Sequence, residues 1–469
     1  MKILLTNSPL HFSHGHTFTQ PDWQTLVLPL LAAIIGNKHE IRLVDNMTLL
    51  FRSNVILERI KDFHPDVVGF SIIAARDLYN TIDVIRQVRA GYPHVTLLAG
   101  GQGGSFFDEL LLQSGIDYVV RGEGEVTLRE LISAIDEGEA DLAGIPGLSF
   151  KRADGIYRTA ERPKIKDLDD SPFPAIDLMP PRKSRWFPRR LTGSIETSRG
   201  CPYDCNFCAI TAFWDRSFRE KSNERIIEEM KLLSRRGRTH LYLADDNFGM
   251  NVKKHVDLFE RILREGLDVR FFAQMRTDTI ALHPEMVALA ARAGLYGALI
   301  GFDTYEPDTF HHVTKVGSVE LNLKCAELMR KNKIMIFGSH IYALPSQKKP
   351  LDFARTFWTG RQNSDLFRMP HFSMLPGTKA YGKMITQEAL DSKKGDDDFR
   401  LFIRPAKEQA RFRRWYTIFN FLNILLPDEI LKALFHPNPS VRKIKQRGYI
   451  GIGRHYLYKV LGRFGLCDV

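Results

Sequence analysis

The amino-acid sequence predicts an α/β protein whose first domain is a doubly wound parallel sheet. Short apolar segments rich in β-branched residues alternate with helical segments up to about residue 150, and the alternation returns between about residues 190 and 380. A proline-containing stretch separates the two regions. These observations predict two domains, 1–150 and 190–380, joined by a linker over 151–189 and followed by a mainly helical region, 381–469.

The first domain contains five short apolar segments that are typical of β-strands. They cover residues 2–6, 41–45, 67–71, 95–99 and 118–120. Helical segments lie between them, so we expect the strands to run parallel with helices on both faces. Sheets of this type bind their ligands beyond the carboxyl ends of the strands.

Glycine and polar residues occupy those carboxyl ends. Ser71 ends the third segment, and Gly100, Gly101 and Gln102 belong to a glycine-rich turn after the fourth. Glu123 lies in a Gly-Glu-Gly-Glu run after the fifth. Glycines let a backbone approach a bulky or phosphorylated ligand closely. Any strand-to-helix turn also favours glycine, so turn geometry alone is an equal alternative.

Three of the five cysteines form one C-x3-C-x2-C run, Cys201, Cys205 and Cys208. Three thiolates on one loop can bind three irons of a 4Fe-4S cluster and leave the fourth iron open. A structural zinc site takes four ligands, usually from two paired clusters, and the sequence has no second C-x2-C or H-x3-H pair. Disulfides are poorly supported because Cys325 and Cys467 are isolated, and the helical pattern around Cys325 predicts a packed core residue.

With Phe207 before its last cysteine, this run resembles the signature of the radical S-adenosylmethionine (SAM) enzymes. In that family the open iron binds SAM, and one electron from the cluster cleaves SAM into methionine and a 5′-deoxyadenosyl radical, which abstracts a hydrogen atom from the substrate. The resemblance implies a partial (β/α)6 radical SAM barrel over 190–380. It also implies an electron donor such as flavodoxin or ferredoxin, and it places Phe207 among the SAM-binding residues.

The predicted strands of the central domain end in polar residues, where a β/α barrel gathers its functional groups. By resemblance, Asp245, Asp246 and Asn247 bind the amino group or ribose of SAM. Arg276 is placed on the SAM carboxylate, because an arginine fork suits two oxygens; a salt bridge at the barrel rim is its alternative. Asp303 stands where relatives commonly carry glutamate, and we expect it to reach a ribose or a substrate group.

A sheet domain directly before such a cysteine run, ending in Arg-Gly-Glu-Gly-Glu at 121–125, resembles the cobalamin-binding-domain subgroup of radical SAM enzymes. The resemblance implies that residues 1–150 form a Rossmann-like cobalamin-binding domain. Its expected cobalamin contacts are Ser71, Gly100, Gly101, Gln102 and Glu123. The D-x-H-x-x-G motif that supplies an axial histidine in methionine-synthase-like proteins is absent, so we expect no histidine ligand from it.

The resemblance leaves two enzymatic hypotheses open. One is a radical methyltransferase acting on an unactivated carbon of a large apolar substrate, such as a bacteriochlorophyllide side chain or a hopanoid-like lipid. The other is an oxidative cyclase or oxidoreductase of tetrapyrrole synthesis that uses the same cofactors without methyl transfer. A methylthiotransferase fits less well, because no cysteine precedes Cys201. A non-catalytic iron–sulfur protein is the third alternative.

The charge and hydropathy of the chain limit the kinds of partner that we expect. The formal net charge is +11, but the basic residues are dispersed and no nucleic-acid-binding motif is present, so we expect no nucleic-acid partner. No apolar run reaches the roughly 18 residues of a membrane span, which predicts a cytoplasmic protein. In the last region, basic residues alternate with aromatic and aliphatic ones. That pattern predicts a helix on an anionic membrane surface or over an apolar substrate, with a helix packed on the barrel as an equal alternative.

Overall fold

The computed structural model describes residues 1–8, 23–45, 55–73, 78–139, 141–184, 187–312, 315–342, 344, 354–370, 372, 377–384 and 442. These residues form two α/β domains. The prediction for 381–469 falls outside the described residues, apart from 381–384 and 442. Within the described part of the chain, no helix is both long and apolar enough to cross a membrane.

The first domain is built on a seven-stranded sheet. Its strands are β1 (Lys2–Asn7), β2 (Glu40–Val44), β3 (Val67–Ser71), β4 (Thr96–Gly100), β5 (Tyr118–Val120), β6 (Leu148–Arg152) and β7 (Gly155–Arg158). The strand order is β2-β1-β3-β4-β5-β6-β7, and the first five strands are parallel. The predicted doubly wound sheet is therefore confirmed. Its topological switch point, where such sheets bind ligands, lies between β1 and β3.

Helices cover both faces of this sheet. They are α1 (Val27–Ile35), α2 (Val55–Phe63), α3 (Leu78–Gly91), α4 (Gly101–Phe106), α5 (Asp108–Gln113) and α6 (Gly124–Glu137). Successive residues of a strand point to opposite faces. Accordingly, Leu4 packs in one core with Ile60 and Val88, whereas Ile3 packs in the other with Leu131. Burying β1 on both faces places this strand at the centre of the domain.

The edge formed by β6 and β7 differs from the sequence prediction. This antiparallel hairpin extends the sheet to Arg158, so the predicted domain boundary at residue 150 falls inside β6. Asp108 of α5 fixes the hairpin, accepting hydrogen bonds from Ser149 Oγ and Arg158 Nε, each at 2.7 Å. An edge hairpin needs little apolar sequence, and the charged residues Lys151, Arg152 and Asp154 interrupt the apolar pattern that would indicate a strand.

The second domain is an open barrel of six parallel strands. In chain order its strands and the short ribbon strands are β8 (Leu191–Ile195), β9 (Ser198–Gly200), β10 (Phe218–Glu220), β11 (Arg238–Leu243), β12 (Arg270–Arg276), β13 (Leu295–Asp303), β14 (Met335–His340) and β15 (Leu366–Arg368). The barrel order is β15-β14-β13-β12-β11-β8, while β9 and β10 form a separate antiparallel ribbon. The six-unit partial barrel matches the expectation.

Helices surround the outer face of the barrel. They are α7 (Ala209–Trp214), α8 (Asn223–Arg235), α9 (Val252–Arg264), α10 (Thr277–Leu282), α11 (Pro284–Ala293), α12 (Pro307–His312), α13 (Val319–Lys331), α14 (Ala354–Gln362) and α15 (Lys379–Met384). The main core lies between strands and helices and includes Leu241, Phe271 and Ile300. Cys325 of α13 is fully buried in this core, as its helical pattern predicted.

Trp23 of the first domain packs against residues of the second. Its indole stacks on Tyr242 of β11 with ring centroids 4.1 Å apart and lies 4.7 Å from the ring of Phe272 of β12. The next residue, Gln24, accepts hydrogen bonds from Ser194 Oγ and Arg238 Nη1. The two domains are therefore joined by shared packing as well as by the chain between them.

Candidate functional site

The three cysteines lie on a single loop between β9 and α7. The ribbon closes this loop at its base, because Gly200 pairs with Phe218 across β9 and β10. All three thiols are free and partly buried. Burial raises the pKa of Cys201 and of Cys208, so these thiols keep their protons unless a metal binds them.

The donor set fits an iron–sulfur cluster better than a single ion. Among the residues that the structure describes, no three His, Cys, Asp or Glu side chains converge as the ligands of one metal ion. A cluster accepts each thiolate on a different iron, which spreads its ligands more widely than one ion does. A tetrahedral zinc site would need four converging ligands.

The carboxyl end of β11 faces the base of the cysteine loop. Asp246 accepts a hydrogen bond from Gly200 N at 3.1 Å, and burial raises the pKa of Asp246 to about 7. Asn247 Nδ2 donates to Cys201 Sγ at 3.7 Å, while Asn247 Oδ1 is buried and has no partner among the described residues. An unpartnered buried acceptor beside the loop suits a ligand with a donor group, such as the amino group of SAM.

Asp245 differs from its two neighbours. It is fully buried and accepts hydrogen bonds from Thr197 N at 2.7 Å and Ser198 Oγ at 2.8 Å. Burial raises its pKa to about 6. These bonds fix the start of β9, so Asp245 supports the ribbon, and its expected SAM contact stays a prediction.

Arg276 has an acidic partner within its own domain. Its guanidinium binds the Asp278 carboxylate, with Nε 2.9 Å from Oδ1 and Nη2 2.8 Å from Oδ2. It lies over the ring of Tyr203, a residue of the cysteine loop, 3.5 Å from the ring centroid. The salt bridge that was the alternative for Arg276 is therefore present, and Arg276 reaches the loop through Tyr203.

Sequence analysis missed Lys315. Its buried ammonium group lies 2.5 Å from Oδ2 of Asp303, which has the uncommon backbone angle φ of 60°. Burial raises the pKa of Cys205 to about 11, and the charges of Lys315 and Arg276 oppose that rise. Two cations therefore stand near the cysteine loop. No residue pattern marks Lys315, because an isolated lysine between helices is ordinarily exposed.

Phe207 packs against residues that follow β14 and β15 in the chain. Its ring contacts a cluster that contains Ile341, Leu344, Phe372 and Ala380. The ring centroids of Phe207 and Phe372 are 6.1 Å apart. This packing anchors the loop between Cys205 and Cys208.

The glycine-rich turn of the first domain has a structural explanation for two of its glycines. A Cβ on Gly101 would lie 2.8 Å from Ile72 O, and one on Gly103 would lie 2.4 Å from Ile72 Cγ2. Gly100 and Ser71 are register partners at the ends of β4 and β3. Close packing therefore requires glycine here whether or not a ligand binds.

Gln102 is the group in this turn that fits a ligand. Its Nε2 is buried and has no partner among the described residues. A buried amide without a partner is costly, and a polar ligand would satisfy it. The same turn approaches the second domain, because Phe106 of α4 lies 6.3 Å from Phe213 of α7 between ring centroids. The carboxyl edge of the sheet thus faces the segment that follows the cysteines.

Glu123 is placed at the domain interface. Its carboxylate accepts hydrogen bonds from Arg199 Nη1 at 2.7 Å, Arg219 Nη1 at 2.9 Å and Ile165 N at 2.8 Å. These donors occupy both oxygens. Glu123 therefore contributes to contacts between the domains, and its expected contact with cobalamin stays a prediction.

Two family models match the chain. The model of the B12 binding domain matches residues 19–132, and that of the radical SAM superfamily matches residues 195–349. Both ranges fall within the domains described above.

Curated relatives cover most of the chain. An uncharacterized methyltransferase of Pyrococcus horikoshii is 29% identical over 83% of this chain and 84% of its own length. The anaerobic magnesium-protoporphyrin IX monomethyl ester cyclase of Synechocystis is 25% identical over 94% and 89%. The hopanoid C-3 methylase of Methylococcus capsulatus is 28% identical over 72% and 64%.

Two solved structures share the fold. The cobalamin-dependent SAM radical enzyme OxsB, with aqua-cobalamin and SAM bound, has a TM-score of 0.69 and 17% identity, covering 97% of this chain and 71% of its own. The methyltransferase TsrM of Kitasatospora setae, with cobalamin and a 4Fe-4S cluster bound, has a TM-score of 0.64 and 18% identity, covering 82% and 79%. At these identities the likeness extends to the fold alone.

Proposed function

For this chain, which joins a B12-binding domain to a radical SAM domain, we propose the function of a cobalamin-dependent radical SAM methyltransferase that methylates an unactivated carbon of a large apolar substrate. The observation that carries the proposal is the approach of α4, at the carboxyl edge of the sheet, to α7, directly after the three cysteines. Ligands at the two places would meet in one site. The methyltransferase and methylase names among the relatives support the same class.

The residues take distinct roles in this proposal. Cys201, Cys205 and Cys208 hold a 4Fe-4S cluster. Asp246 and Asn247 lie beside it and contact SAM. In the first domain, Gln102 contacts cobalamin, together with Ser71 at the neighbouring strand end. When bound, these cofactors supply a radical that abstracts a hydrogen atom and a methyl group that can be transferred to carbon.

The side chains around the loop support this chemistry. Asn247 orients Cys201 through its hydrogen bond to the sulfur. The cations of Lys315 and Arg276 offset the negative charge of thiolates in a site largely screened from water. An unactivated C–H carbon is not a nucleophile, so methyl transfer by displacement on SAM alone would fail. Two domains would overcome that difficulty. The radical SAM domain would supply the radical that activates the carbon, and the B12-binding domain would hold the methyl donor.

A second candidate is an oxidative cyclase of tetrapyrrole synthesis. The cyclase of Synechocystis matches 94% of this chain, a larger share than either methylase-type relative. Such a reaction would use the same loop and the same domains but add no methyl group. A bacteriochlorophyllide side chain and a hopanoid-like lipid are the substrates that we propose to test first, with flavodoxin or ferredoxin as electron donor.

The test is turnover of the anaerobically reconstituted protein with SAM and three substrates: bacteriochlorophyllide, magnesium-protoporphyrin IX monomethyl ester and diploptene. A substrate heavier by one methylene, with both S-adenosylhomocysteine and 5′-deoxyadenosine formed, supports the methyltransferase. An oxidised product with 5′-deoxyadenosine and no S-adenosylhomocysteine supports the cyclase. Turnover that continues in Cys208→Ala would overturn both, because that variant lacks a cluster ligand.

A further inference from the structure

The ribbon at the base of the cysteine loop brings two arginines together. Arg199 of β9 and Arg219 of β10 are direct register partners. Like charges directly opposite each other on paired strands are destabilising. Their side chains are only 5% and 14% exposed, so water and salt screen this repulsion poorly. Carboxylates from outside the ribbon are therefore needed to offset the repulsion between the two arginines.

Two of the carboxylates that meet this need come from the other domain. Glu123, between β5 and α6, binds both arginines, at 2.7 Å from Arg199 and 2.9 Å from Arg219. Glu125, in the first turn of α6, lies 2.6 Å from Arg199 Nη2. Glu196 adds a carboxylate from the barrel domain at 2.9 Å.

The network joins the two elements that carry the proposed cofactor contacts. Arg199 stands two residues before Cys201 in the chain. Glu123 follows β5, whose neighbour β4 leads into the turn that contains Gln102. The nearby contact between Phe106 and Phe213 is apolar and imposes little direction. Charged hydrogen bonds from arginine to carboxylate impose a geometry.

We infer that Glu123 is a positioning residue that clamps the cysteine loop to the B12-binding domain and so fixes the separation of the cluster and the cobalamin. The inference rests on the proposed function for the presence of both cofactors. It goes beyond that function by assigning the Glu-x-Glu pair at 123–125 to coupling between the domains. Small errors in the placement of reacting groups cost large factors in rate, so such a clamp would govern methyl transfer more than SAM cleavage.

The test compares Glu123→Gln with Glu130→Gln in the full chain loaded with both cofactors. Glutamine keeps the shape of Glu123 and removes the charge that binds Arg199 and Arg219. Glu130 is the matched control, because it lies on α6 of the same domain and pairs with Arg162 away from the loop. Arg219→Lys is a second variant that keeps the charge but loses the planar fork.

The first readout is the dipolar coupling between cob(II)alamin and the reduced cluster, measured by pulsed electron paramagnetic resonance. Only molecules that hold both cofactors give this signal, so loss of folded protein does not imitate the effect. We expect the distance distribution of Glu123→Gln to be about twofold broader than that of the wild type, with Glu130→Gln unchanged. If Glu123→Gln gives no folded protein, the same distance measurement on Arg219→Lys tests the clamp.

The second readout is the ratio of methylated product to 5′-deoxyadenosine. It should fall by about tenfold in Glu123→Gln, while 5′-deoxyadenosine formation changes by less than about twofold. A distance distribution of Glu123→Gln as narrow as that of Glu130→Gln would overturn the clamp, and the proposed function would stand if the wild type still methylates. A wild type without methylated product refutes the proposed function, while the distance measurement still decides on the clamp.

Discussion

The side-chain amide of Asn247 donates a hydrogen bond to Cys201 Sγ at 3.7 Å, linking the end of β11 to the first cysteine of the loop. Hydrogen bonds to cluster sulfurs favour the reduced state, because they stabilise the added negative charge. We expect Asn247→Ala to lower the reduction potential of the bound cluster by tens of millivolts, on the order of other changes around such clusters. A redox titration followed by electron paramagnetic resonance measures it.

Asn223→Ala is the matched control for that experiment. Asn223, the first residue of α8, is also buried and hydrogen-bonded, but its Nδ2 donates to Lys254 O and Asp257 Oδ2, both on α9. Replacing Asn223 by alanine should leave the reduction potential of the cluster unchanged. Equal potentials for Asn247→Ala and the wild type would contradict the role assigned to the Asn247 amide.

Replacing any cysteine of the loop by alanine should abolish the cluster. Cys201→Ala, Cys205→Ala and Cys208→Ala each remove one of three protein ligands, and a cluster held by two thiolates is poorly retained. Iron and sulfide content after anaerobic reconstitution measures the loss. Cys325→Ala should retain full iron, since Cys325 is buried in the helix-packed core. Full iron in Cys208→Ala would refute the assignment of the loop.

Trp23→Ala should destabilise the whole protein rather than one domain. The substitution removes the ring that packs on Tyr242 and Phe272, and loss of such a ring costs about 3 kcal/mol. Scanning calorimetry should show Tm lower by about 3 °C. Trp358→Ala is the control, because Trp358 is 40% exposed and a change there should be small. Equal Tm values for the two variants would mean that the Trp23 packing contributes little.

The protein should lose stability on acidification because of buried histidines. Burial lowers the pKa of His240 to about 3, and its Nε2 lies 2.6 Å from Tyr296 Oη. The unfolded chain binds a proton at this residue below about pH 6.5, whereas the folded chain does not until about pH 3. Unfolding therefore takes up a proton in that window, and stability falls as the pH falls through it.

We expect the titration of His240 to lower the free energy of unfolding by about 2 kcal/mol between pH 7 and pH 5. Urea unfolding of the metal-free protein at the two values measures it. His240→Gln, which can keep a bond to Tyr296, should show a pH-dependent loss smaller by that amount. His94→Gln, on the surface, should behave as the wild type. An identical pH dependence for His240→Gln and the wild type would contradict the assignment.

The sequence predicted the strands of the first domain closely because each is short, apolar and bounded by polar turns. The predicted segment 67–71 coincides with β3, and 95–99 differs from β4 by one residue at each end. In the barrel, β11 ends at Leu243, because Asp245 and Asp246 of the following turn bond to the base of the cysteine loop. Local pattern identifies a buried strand better than its end.

Partners across the domains could not be predicted in the same way. Glu123 and Arg199 are separated by 76 positions, and the Gly-Glu-Gly-Glu run around Glu123 does not indicate Arg199 as its partner. Lys315 is buried beside Asp303 and the Gly301 carbonyl, contacts that depend on the fold of the barrel and not on local sequence. The cysteines were found because all three act on one short loop. Site residues assembled from distant segments carry no comparable signal.

The packing of Trp23 has a consequence for how the chain is made. Its indole leaves the ribosome long before Tyr242 and Phe272, the two rings that cover it. Until β11 and β12 have been synthesised, the large apolar ring of Trp23 has neither Tyr242 nor Phe272 to pack against. Exposed rings of this kind attract chaperones and other unfolded chains. The packing of Trp23 is therefore completed only after β11 and β12 have been synthesised.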